Sequence, residues 1–500
     1  MRDKIVLEKA RNEGLALTFD DVRLRSNYAE DMPDEVDVGS KFSRNVRLKI
    51  PIVSAAMDNV TEYGLAIELA KLGGIGVIHR KNISIKDQVS HVEKVKYHLN
   101  GLIEKPIWVY EDESVFSILS RREEKGYTFH SFPVLNREGK LVGIITGNDF
   151  EFCRNSSLKA KDIMTTELLL APMGTTIDEA YDKMCKAKKK ILPLVKNNGE
   201  IVGMYVFSDV KRIKTRSAET YNVDSKGQLR VAAAVGTGEE AFERVARLSE
   251  KNVDVIVIDT AHGDSKYVID TLKEIKRNYS LDVVVGNVSI GESAKRLVNA
   301  GADGIKVGQG PGSICTTRVI AGIGRPQVSA VYDCAKAIEE SDIPICADGG
   351  LRNSGDITIA IAAGAHSVMM GSMLAGTEEA PGNIIFVEGR QWKSYRGMGS
   401  LGAMEISGSS RERYLQQQTE KNQLIPEGVE GLAPYKGRLA DVIFQYIGGL
   451  RRGMGYVGAA SIEELRNKGD FDRITTAGFS ESHPHDIKII KESPNYRKDE

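Results

Sequence analysis

The 500-residue sequence predicts an α/β fold, a (β/α)8 barrel that carries a second folding unit inserted after its second strand. Short β-rich runs alternate with helical stretches along most of the chain, which is typical of βα units around a parallel sheet. Almost every run ends in glycine or polar residues. An internal repeat interrupts the series between the second and third runs, and a repeat of this length marks a separate unit.

Eight runs have the composition of buried parallel strands, and eight such strands close a TIM barrel. They cover residues 52–56, 75–79, 231–235, 253–258, 283–285, 304–307, 343–347 and 367–370. A doubly wound open sheet would show the same alternation, but neither early run carries the GxGxxG turn of that fold. We therefore expect a barrel formed by residues 1–104 and 223–500. Barrel active sites lie at the carboxyl ends of the strands, so functional residues are expected in the segments that follow these runs.

The interruption contains two similar segments, FPVLNREGKLVGIITGNDF at 132–150 and LPLVKNNGEIVGMYVFSDV at 192–210. They align without a gap, and each has two apolar strands around a polar glycine turn. The pattern resembles a tandem CBS-domain pair over 105–222, with copies at about 105–160 and 161–222.

That resemblance implies a regulatory purine nucleotide bound in the cleft between the copies. Thr146, Asp149 and Asp209 are the expected contacts, with the two carboxylates on ribose hydroxyls. The second copy has Val206 where the first has Thr146, so binding should depend more on Asp149 than on Asp209. Two purely structural β-β-α units are the alternative.

The charge and the cysteine content exclude several classes of protein. The 68 basic and 69 acidic side chains give a formal net charge of -1, which offers no general attraction for nucleic acid or an anionic membrane. The first residues lead to no apolar signal core, and the longest apolar stretch, 357–365, is too short for a bilayer. Five cysteines without a CxxC pair indicate free thiols in a reducing cytoplasm.

The segment GQGPGSICTT at 308–317 is the most informative one. Its three glycines leave the backbone open to an ion or a phosphate, and Cys315 follows on a loop where a thiol can be exposed. Cys334 and Cys346 lie in apolar contexts and are expected in the core. No histidine is adjacent to Cys315, so the thiol must be activated by the substrate, the loop or a distant group.

Two later strand ends are suited to a ribose phosphate. Asp348-Gly349-Gly350 offers a carboxylate for a ribose diol beside bare backbone. Gly371-Ser372 offers an N–H and a hydroxyl at the place where barrels often bind phosphate. A single DGG is a weak signal, but two such segments after consecutive strands predict a nucleotide site.

Several motifs together resemble the IMP dehydrogenase/GMP reductase family over almost the whole chain. They are SAAMDNVTE at 54–62, GGIGVIH at 73–79, GPGSICTT at 310–317, ADGG at 347–350, MGS at 370–372 and YRGMGSLGAM at 395–404. Three features favour the dehydrogenase branch: the Arg413-Tyr414 pair, Gly399 where the reductase pattern has serine, and the tail ESHPHD at 481–486. A GMP reductase that carries a CBS insert and uses NADPH is the first alternative. A catalytically silent nucleotide sensor is the second.

The resemblance implies oxidation of IMP to xanthosine monophosphate with NAD. Cys315 would form a covalent thioimidate at C2 of IMP, and a mobile flap at about 400–430 would then close for hydrolysis. Arg413 is the implied base for the water, with Tyr414 and Thr317 positioning it. The common form of the flap is about one residue shorter before the Arg-Tyr pair.

The remaining site residues also follow from the resemblance. IMP would be held by Ser313, Asp348, Gly349, Gly350, Gly371, Ser372, Tyr395, Arg396, Gly397, Met398, Gly399 and Glu427. NAD would meet Asp259, Thr260, Ala261, Gly308, Gln309 and Gly310, with Tyr456 of a neighbouring subunit on the adenine. Carbonyls of Gly310, Gly312 and Cys315 would bind K⁺, completed by Glu481, Ser482 and His483 of the next subunit in a homotetramer. A transition metal at His483 and His485 is a weaker interpretation, since no cysteine or acid shows metal-ligand spacing.

Overall fold

The computed structural model describes residues 4–99, 102–103, 106–125, 127, 129–214, 219–406, 408–414, 416, 423–491 and 493–496. Contacts within the chain divide it into two compact units. The first comprises Met1–Lys96, Thr220–Asn222 and Leu229–Glu500. The second comprises Tyr97–Glu219 and Val223–Gln228.

Eight parallel strands of the first unit close into a barrel, each paired with the next along the chain and the last paired with the first. They are β1 Ile52–Ser54, β2 Ile75–Ile78, β3 Val231–Val235, β4 Val255–Asp259, β5 Asp282–Val288, β6 Gly304–Val307, β7 Ile345–Asp348 and β8 Ser367–Met370. The predicted (β/α)8 barrel is confirmed, and every predicted run contributes one strand.

Side chains from alternate strand positions fill the interior of the barrel. Ala232 and Ala234 of β3 share one buried cluster with Val255 and Val257 of β4. Because successive side chains of a strand point to opposite faces, these pairs lie on the inner face. Cys346 belongs to the same buried cluster, as the sequence predicts for this cysteine.

One long helix follows each strand and covers the barrel. The helices are α1 Tyr63–Lys71, α2 Ile85–Lys96, α3 Gly238–Ser249, α4 Lys266–Asn278, α5 Gly291–Asn299, α6 Gln327–Ala337, α7 Ser354–Ala362 and α8 Leu439–Val457. In α4 the buried residues Val268, Thr271, Leu272 and Ile275 recur at helical spacing and form the face toward the barrel. Among the described residues, no helix is both long and apolar enough to cross a membrane.

The first unit also contains shorter elements outside the eight strand–helix pairs. Between β8 and α8 the chain forms Ser372–Ala375, a three-stranded antiparallel sheet and two short helices, Leu401–Ile406 and Gly408–Arg413. That sheet consists of Ile384–Val387, Arg390–Arg396 and Glu430–Pro434. The other elements are Ile5–Asn12, Phe19–Asp21, Ser40–Lys41 with Arg47–Leu48, Val22–Leu24 with Phe471–Arg473, Thr317–Ile320, Ile462–Lys468 and Thr476–Glu481.

The second unit contains two three-stranded sheets with the same strand order. In each sheet the middle strand pairs in parallel with the first strand and antiparallel with the third. The first half has strands Val109–Tyr110, Phe132–Leu135 and Leu141–Ile145 with helices Val115–Lys125, Gly147–Glu151 and Ala160–Ile163. The second half has strands Ala171–Pro172, Ile191–Val195 and Ile201–Val206 with helices Ile177–Ala187 and Phe207–Lys214.

Candidate active site

A cavity of about 350 Å³ opens at the carboxyl ends of the barrel strands, where the loops after β4 to β8 converge. It is lined by most of the residues that the sequence predicts for the site. These are Asp259, Ala261, Gly308, Gln309, Gly310, Gly312, Ser313, Cys315, Thr317, Asp348, Gly349, Gly350, Gly371, Ser372, Tyr395, Gly397, Met398, Arg413, Tyr414 and Glu427.

Backbone hydrogen bonds hold the loop that carries Cys315 to residues 427–429, which directly precede the strand Glu430–Pro434. The N–H of Thr316 donates to the carbonyl of Glu427 at 3.0 Å, and the N–H of Val429 donates to the carbonyl of Ile314 at 3.0 Å. The Cys315 thiol is half-buried and donates to the hydroxyl of Thr317 at 3.2 Å. The thiol is therefore held by a residue of its own loop, and no histidine of the described residues is its hydrogen-bond partner.

The other barrel cysteines are poor nucleophiles because they are buried. Burial raises the pKa of Cys346 to about 12 and raises the pKa of Cys334 further above its usual range. Both side chains are at most 1% exposed. Cys315 is the cysteine that faces the cavity.

One corner of the cavity is lined with hydroxyl groups. Burial raises the pKa of Tyr395 to about 12, so its hydroxyl stays protonated, and Ser313 and Ser372 hydrogen-bond to it. A Cβ at Gly371 would lie 2.8 Å from the Tyr395 oxygen, which explains the glycine at this strand end. Nearby, Gly350 adopts a φ of +83°, a conformation that favours glycine. The corner offers neutral donors that are suited to a phosphate.

The floor of the cavity is a buried charge network centred on Lys306 of β6. Its ammonium contacts Asp348 Oδ2 at 2.7 Å and Asp259 Oδ1 at 3.0 Å, and its side chain is 2% exposed. Asn287 Nδ2 donates to Asp348 Oδ2 at 2.9 Å and to the carbonyl of Gly308 at 2.6 Å. Sequence reasoning missed Lys306 and Asn287, although a lysine inside the buried run 304–307 signals a paired charge. It also missed Thr18, Asp20, Met57, Arg318 and Arg352, which line the cavity.

The flap residues Arg413 and Tyr414 lie in the same cavity. Arg413 forms an ion pair with Asp259, on the opposite oxygen from Lys306. Burial lowers the pKa of Arg413 and raises that of Tyr414. A Cβ at Gly399 would lie 2.6 Å from the Tyr414 ring, so glycine makes room for it. Within the predicted flap, residues 407, 415 and 417–422 lie outside the described part of the chain.

Some predicted residues do not line the cavity. Arg396 donates to Asp58 Oδ2 at 2.5 Å, and the Thr260 hydroxyl donates to the carbonyl of Gly286 at 2.8 Å. Tyr456 is 69% exposed on the first unit.

The four C-terminal residues proposed as metal ligands also lie elsewhere. Ser482 Oγ donates to the carbonyl of Gly478 at 2.8 Å, and His483 Nδ1 lies 3.1 Å from the Tyr496 hydroxyl. Glu481 and His485 are exposed. In the described ranges, no group of three or more histidine, cysteine or acidic side chains could hold a metal ion.

Comparison with known proteins identifies the family of the chain. The model of the IMP dehydrogenase / GMP reductase domain matches residues 16–485. The chain is 52% identical over 496 residues to inosine-5'-monophosphate dehydrogenase of Aquifex aeolicus, covering 98% of this chain and 99% of that protein. It is 46% identical over 492 residues to the Bacillus subtilis protein of the same name, with 98% and 99% covered.

A solved structure is also similar over nearly the whole chain. It is a cysteine-to-alanine variant of GMP reductase from Trypanosoma brucei in complex with guanosine 5'-monophosphate. The match has a TM-score of 0.85 at 38% identity and covers 95% of this chain and 98% of that one. The chain belongs to the IMP dehydrogenase/GMP reductase family and is an oxidoreductase.

Proposed function

We propose that this oxidoreductase is an IMP dehydrogenase that oxidises IMP to xanthosine monophosphate with NAD⁺. The observation that carries the proposal is that Cys315 and the Arg413-Tyr414 pair line one cavity. A reaction that ends in hydrolysis needs a group that activates water in addition to the nucleophile, whereas a reductase does not. The curated relatives named as the dehydrogenase, at 46–52% identity, support the same choice.

The substrate would bind with its phosphate in the hydroxyl corner formed by Ser313, Ser372 and Tyr395. Asp348 accepts hydrogen bonds and is suited to the ribose diol. Gly397, Met398, Gly399 and Glu427 would face the hypoxanthine, and Cys315 would attack its C2. A C–S bond forms as the hydride leaves C2, which gives a thioimidate on the protein. This arrangement would hold the thiol beside the reacting carbon, and such positioning lowers the activation barrier of the attack.

The cofactor would lie along Asp259, Ala261 and Gln309. When bound, NAD⁺ supplies the acceptor for the hydride. The donor set fits a dinucleotide, because the Asp259 carboxylate lines the cavity and can accept from a ribose diol. In this structure Asp259 is paired with Arg413. The nicotinamide ribose and Arg413 of the flap would therefore bind the Asp259 carboxylate one after the other. Hydrolysis would follow once the cofactor has left.

Arg413 would act as the base that activates water. An arginine side chain has an ordinary pKa above 12, which makes it a poor base in solution. Burial lowers the pKa of Arg413, and the positive charge of Arg80 lowers it further, while Tyr414 opposes this shift. Tyr414 and Thr317 would position the water between Arg413 and the thioimidate.

A monovalent cation would order the catalytic loop. Backbone carbonyls are the hard oxygen donors that K⁺ prefers, and Gly310 and Gly312 lie on the loop where these could converge. Gly310 has a φ of +79°, which turns the chain sharply at this point. Glu481, Ser482 and His483 would complete the site from the next subunit of a homotetramer, and Tyr456 would reach the neighbouring adenine.

A GMP reductase is the second candidate, because the similar solved structure is a GMP reductase. That enzyme class uses NADPH and performs no hydrolysis, so it would have no use for Arg413 in the cavity. A catalytically silent nucleotide sensor is less favoured, since Cys315, Thr317, Arg413 and Tyr414 are all present and line one site.

We expect the protein to form NADH from IMP and NAD⁺ and to need K⁺ for full activity. The reaction is followed by NADH absorbance with K⁺ present and with K⁺ replaced by Na⁺ or Li⁺. A parallel reaction contains GMP and NADPH. Consumption of NADPH with GMP, and no NADH from IMP, would assign the chain to the reductase.

We predict that Cys315→Ala abolishes NADH formation and leaves the fold intact, because no other barrel thiol faces the cavity. Labelled IMP should be trapped on wild-type protein and mapped by mass spectrometry to the peptide that contains Cys315. Cys346→Ala is the matched control and should keep the label. A label found on Cys334 or Cys346 would contradict the assignment.

We predict that Arg413→Ala slows hydrolysis much more than hydride transfer, because Arg413 acts after the cofactor leaves. Rapid mixing should give a burst of roughly one NADH per active site and then slow turnover. Equal slowing of the burst and the steady state would mean that Arg413 binds substrate and is not the base.

We also propose that the second unit is a CBS pair that binds a purine nucleotide. In its first half, Asp149 Oδ2 accepts from the backbone N–H and hydroxyl of Thr146 at 2.7 and 2.8 Å. Asp149 also borders a cleft of about 460 Å³. In the second half, Val206 supplies no hydroxyl, and Asp209 instead accepts from Ser208 at 3.4 Å. These differences support a stronger first site.

Titration calorimetry of the full chain with ATP, GTP and their monophosphates should detect binding that Asp149→Ala weakens more than Asp209→Ala. Excision of 105–219, which keeps the barrel contacts of Thr220–Asn222, should remove the binding and leave NADH formation largely unchanged, because the barrel motifs lie outside it. If no nucleotide binds, the pair is structural. If only Asp209→Ala abolishes binding, the ranking of the two sites is wrong.

A further inference from the structure

We propose that Glu412 is a positioning residue that latches the flap onto the ends of β2 and β3 and thereby delivers Arg413 to the cavity. The inference rests on the proposed function, since the hydrolytic role of Arg413 gives the latch its purpose. Glu412 directly precedes the Arg413-Tyr414 pair. Unlike those two residues, Glu412 does not line the cavity.

The Glu412 carboxylate is bound through both oxygens. Oε2 accepts from Arg80 Nη1 at 2.8 Å, while Oε1 accepts from the backbone N–H of Thr237 at 2.8 Å and from its hydroxyl at 3.3 Å. The Glu412 side chain is 11% exposed and that of Arg80 is 1% exposed. Charge-assisted bonds of this kind, shielded from water, are among the stronger ones in proteins.

The two partners of Glu412 belong to adjacent strand ends. Arg80 lies two residues after β2, and Thr237 lies two residues after β3. Arg413, the next residue of the same short helix, forms an ion pair with Asp259 at the end of β4. Consecutive flap residues are thus tied to three consecutive barrel strands. Fixing Glu412 restricts the helix end and reduces the entropy lost when Arg413 enters the cavity.

Space for the latch depends on Gly236. A Cβ at this position would lie 2.2 Å from Glu412 Oε1 and 2.7 Å from the Arg80 guanidinium carbon. The φ of Gly236 lies outside the left-handed region, so an alanine there would meet a steric conflict only, without backbone strain. An alanine at 236 is therefore a probe that blocks the docked carboxylate and leaves its charge in place.

The charges around Glu412 also favour closure. Arg80 pairs with Glu412, and the charges of Arg80 and Arg413 both act on Lys81, a lysine that is 1% exposed. The pKa of Lys81 lies well below its usual value, first because of burial and then because Arg80 and Arg413 repel a further positive charge; Glu412 opposes that shift. Removal of the carboxylate leaves the charges of Arg80 and Arg413 less compensated, and the flap segment that carries Arg413 should then open.

The first experiment compares Glu412→Ala, Glu412→Gln and the control Glu405→Gln, an exposed glutamate of the preceding helix. The NADH burst should keep its rate and amplitude in all three. Steady-state turnover should fall about tenfold or more in Glu412→Ala, because bonds to a charged group are lost. Glu412→Gln should lose less, since its amide oxygen can still accept from Thr237. Equal loss of burst and turnover would overturn the latch.

A second readout requires no activity. Limited trypsin digestion, followed by mass spectrometry, measures cleavage after Arg411 and Arg413. Cleavage should be faster in Glu412→Ala and Gly236→Ala than in wild type, and the double variant should be no faster than the single ones. Gly355→Ala is the matched control, because a Cβ at Gly355 would meet open space. The latch proposal would be contradicted if cleavage were unchanged in the single variants, or if the effects of Glu412→Ala and Gly236→Ala added up in the double variant.

The two experiments separate the latch from the proposed function. If wild-type protein forms no NADH from IMP, the proposed function fails and the digestion alone decides whether Glu412 holds the flap. If wild type is active and the Glu412 variants match it in both turnover and digestion, the latch fails and the function stands.

Discussion

The ammonium of Lys306 lies between the carboxylates of Asp259 and Asp348 and holds the floor of the active site together. Taking a lysine and two aspartates out of water costs several kcal/mol for each ion, and only close pairing offsets that cost. Lys306 meets this condition with contacts of 2.7 and 3.0 Å, and Asn287 adds a hydrogen bond to Asp348. The two carboxylates proposed for the two ribose groups are therefore held at a fixed separation by one cation.

The same network explains why the flap can enter the cavity. Two carboxylates around one lysine leave a net negative charge, and Arg413 neutralises it on the free side of Asp259. Any ligand that needs Asp259 must displace that guanidinium. In the proposed mechanism, competition between the cofactor and Arg413 for this one carboxylate would set the order of events. This pairing requires a positive charge on the flap, which the guanidinium of Arg413 supplies.

The sequence predicted the barrel because its signals are local. Each strand is a short apolar run with a polar end, and the loop that carries Cys315 is a continuous segment. The charge network escaped prediction because it joins residues from β4, β5, β6 and β7, and no spacing in one sequence reveals such pairs. Glu412 and Arg80 are 332 positions apart for the same reason. The family resemblance assigns Arg396 to the substrate site, whereas its side chain is paired with Asp58.

The barrel tolerates an insert between α2 and β3 because both ends of the interruption are fastened to the barrel itself. On the departing side, Lys96 at the end of α2 contacts Asp254 Oδ2 at 2.8 Å, with both side chains buried. On the returning side, the backbone N–H of Asn222 donates to the carbonyl of Ala70 at 2.8 Å, and its side chain donates to that of Gly74 at 3.0 Å. Those bonds hold the chain beside β2 before β3 begins. Pairing of β2 with β3 is therefore supported by contacts within the barrel, which is the physical basis for expecting the site to tolerate changes in the inserted unit.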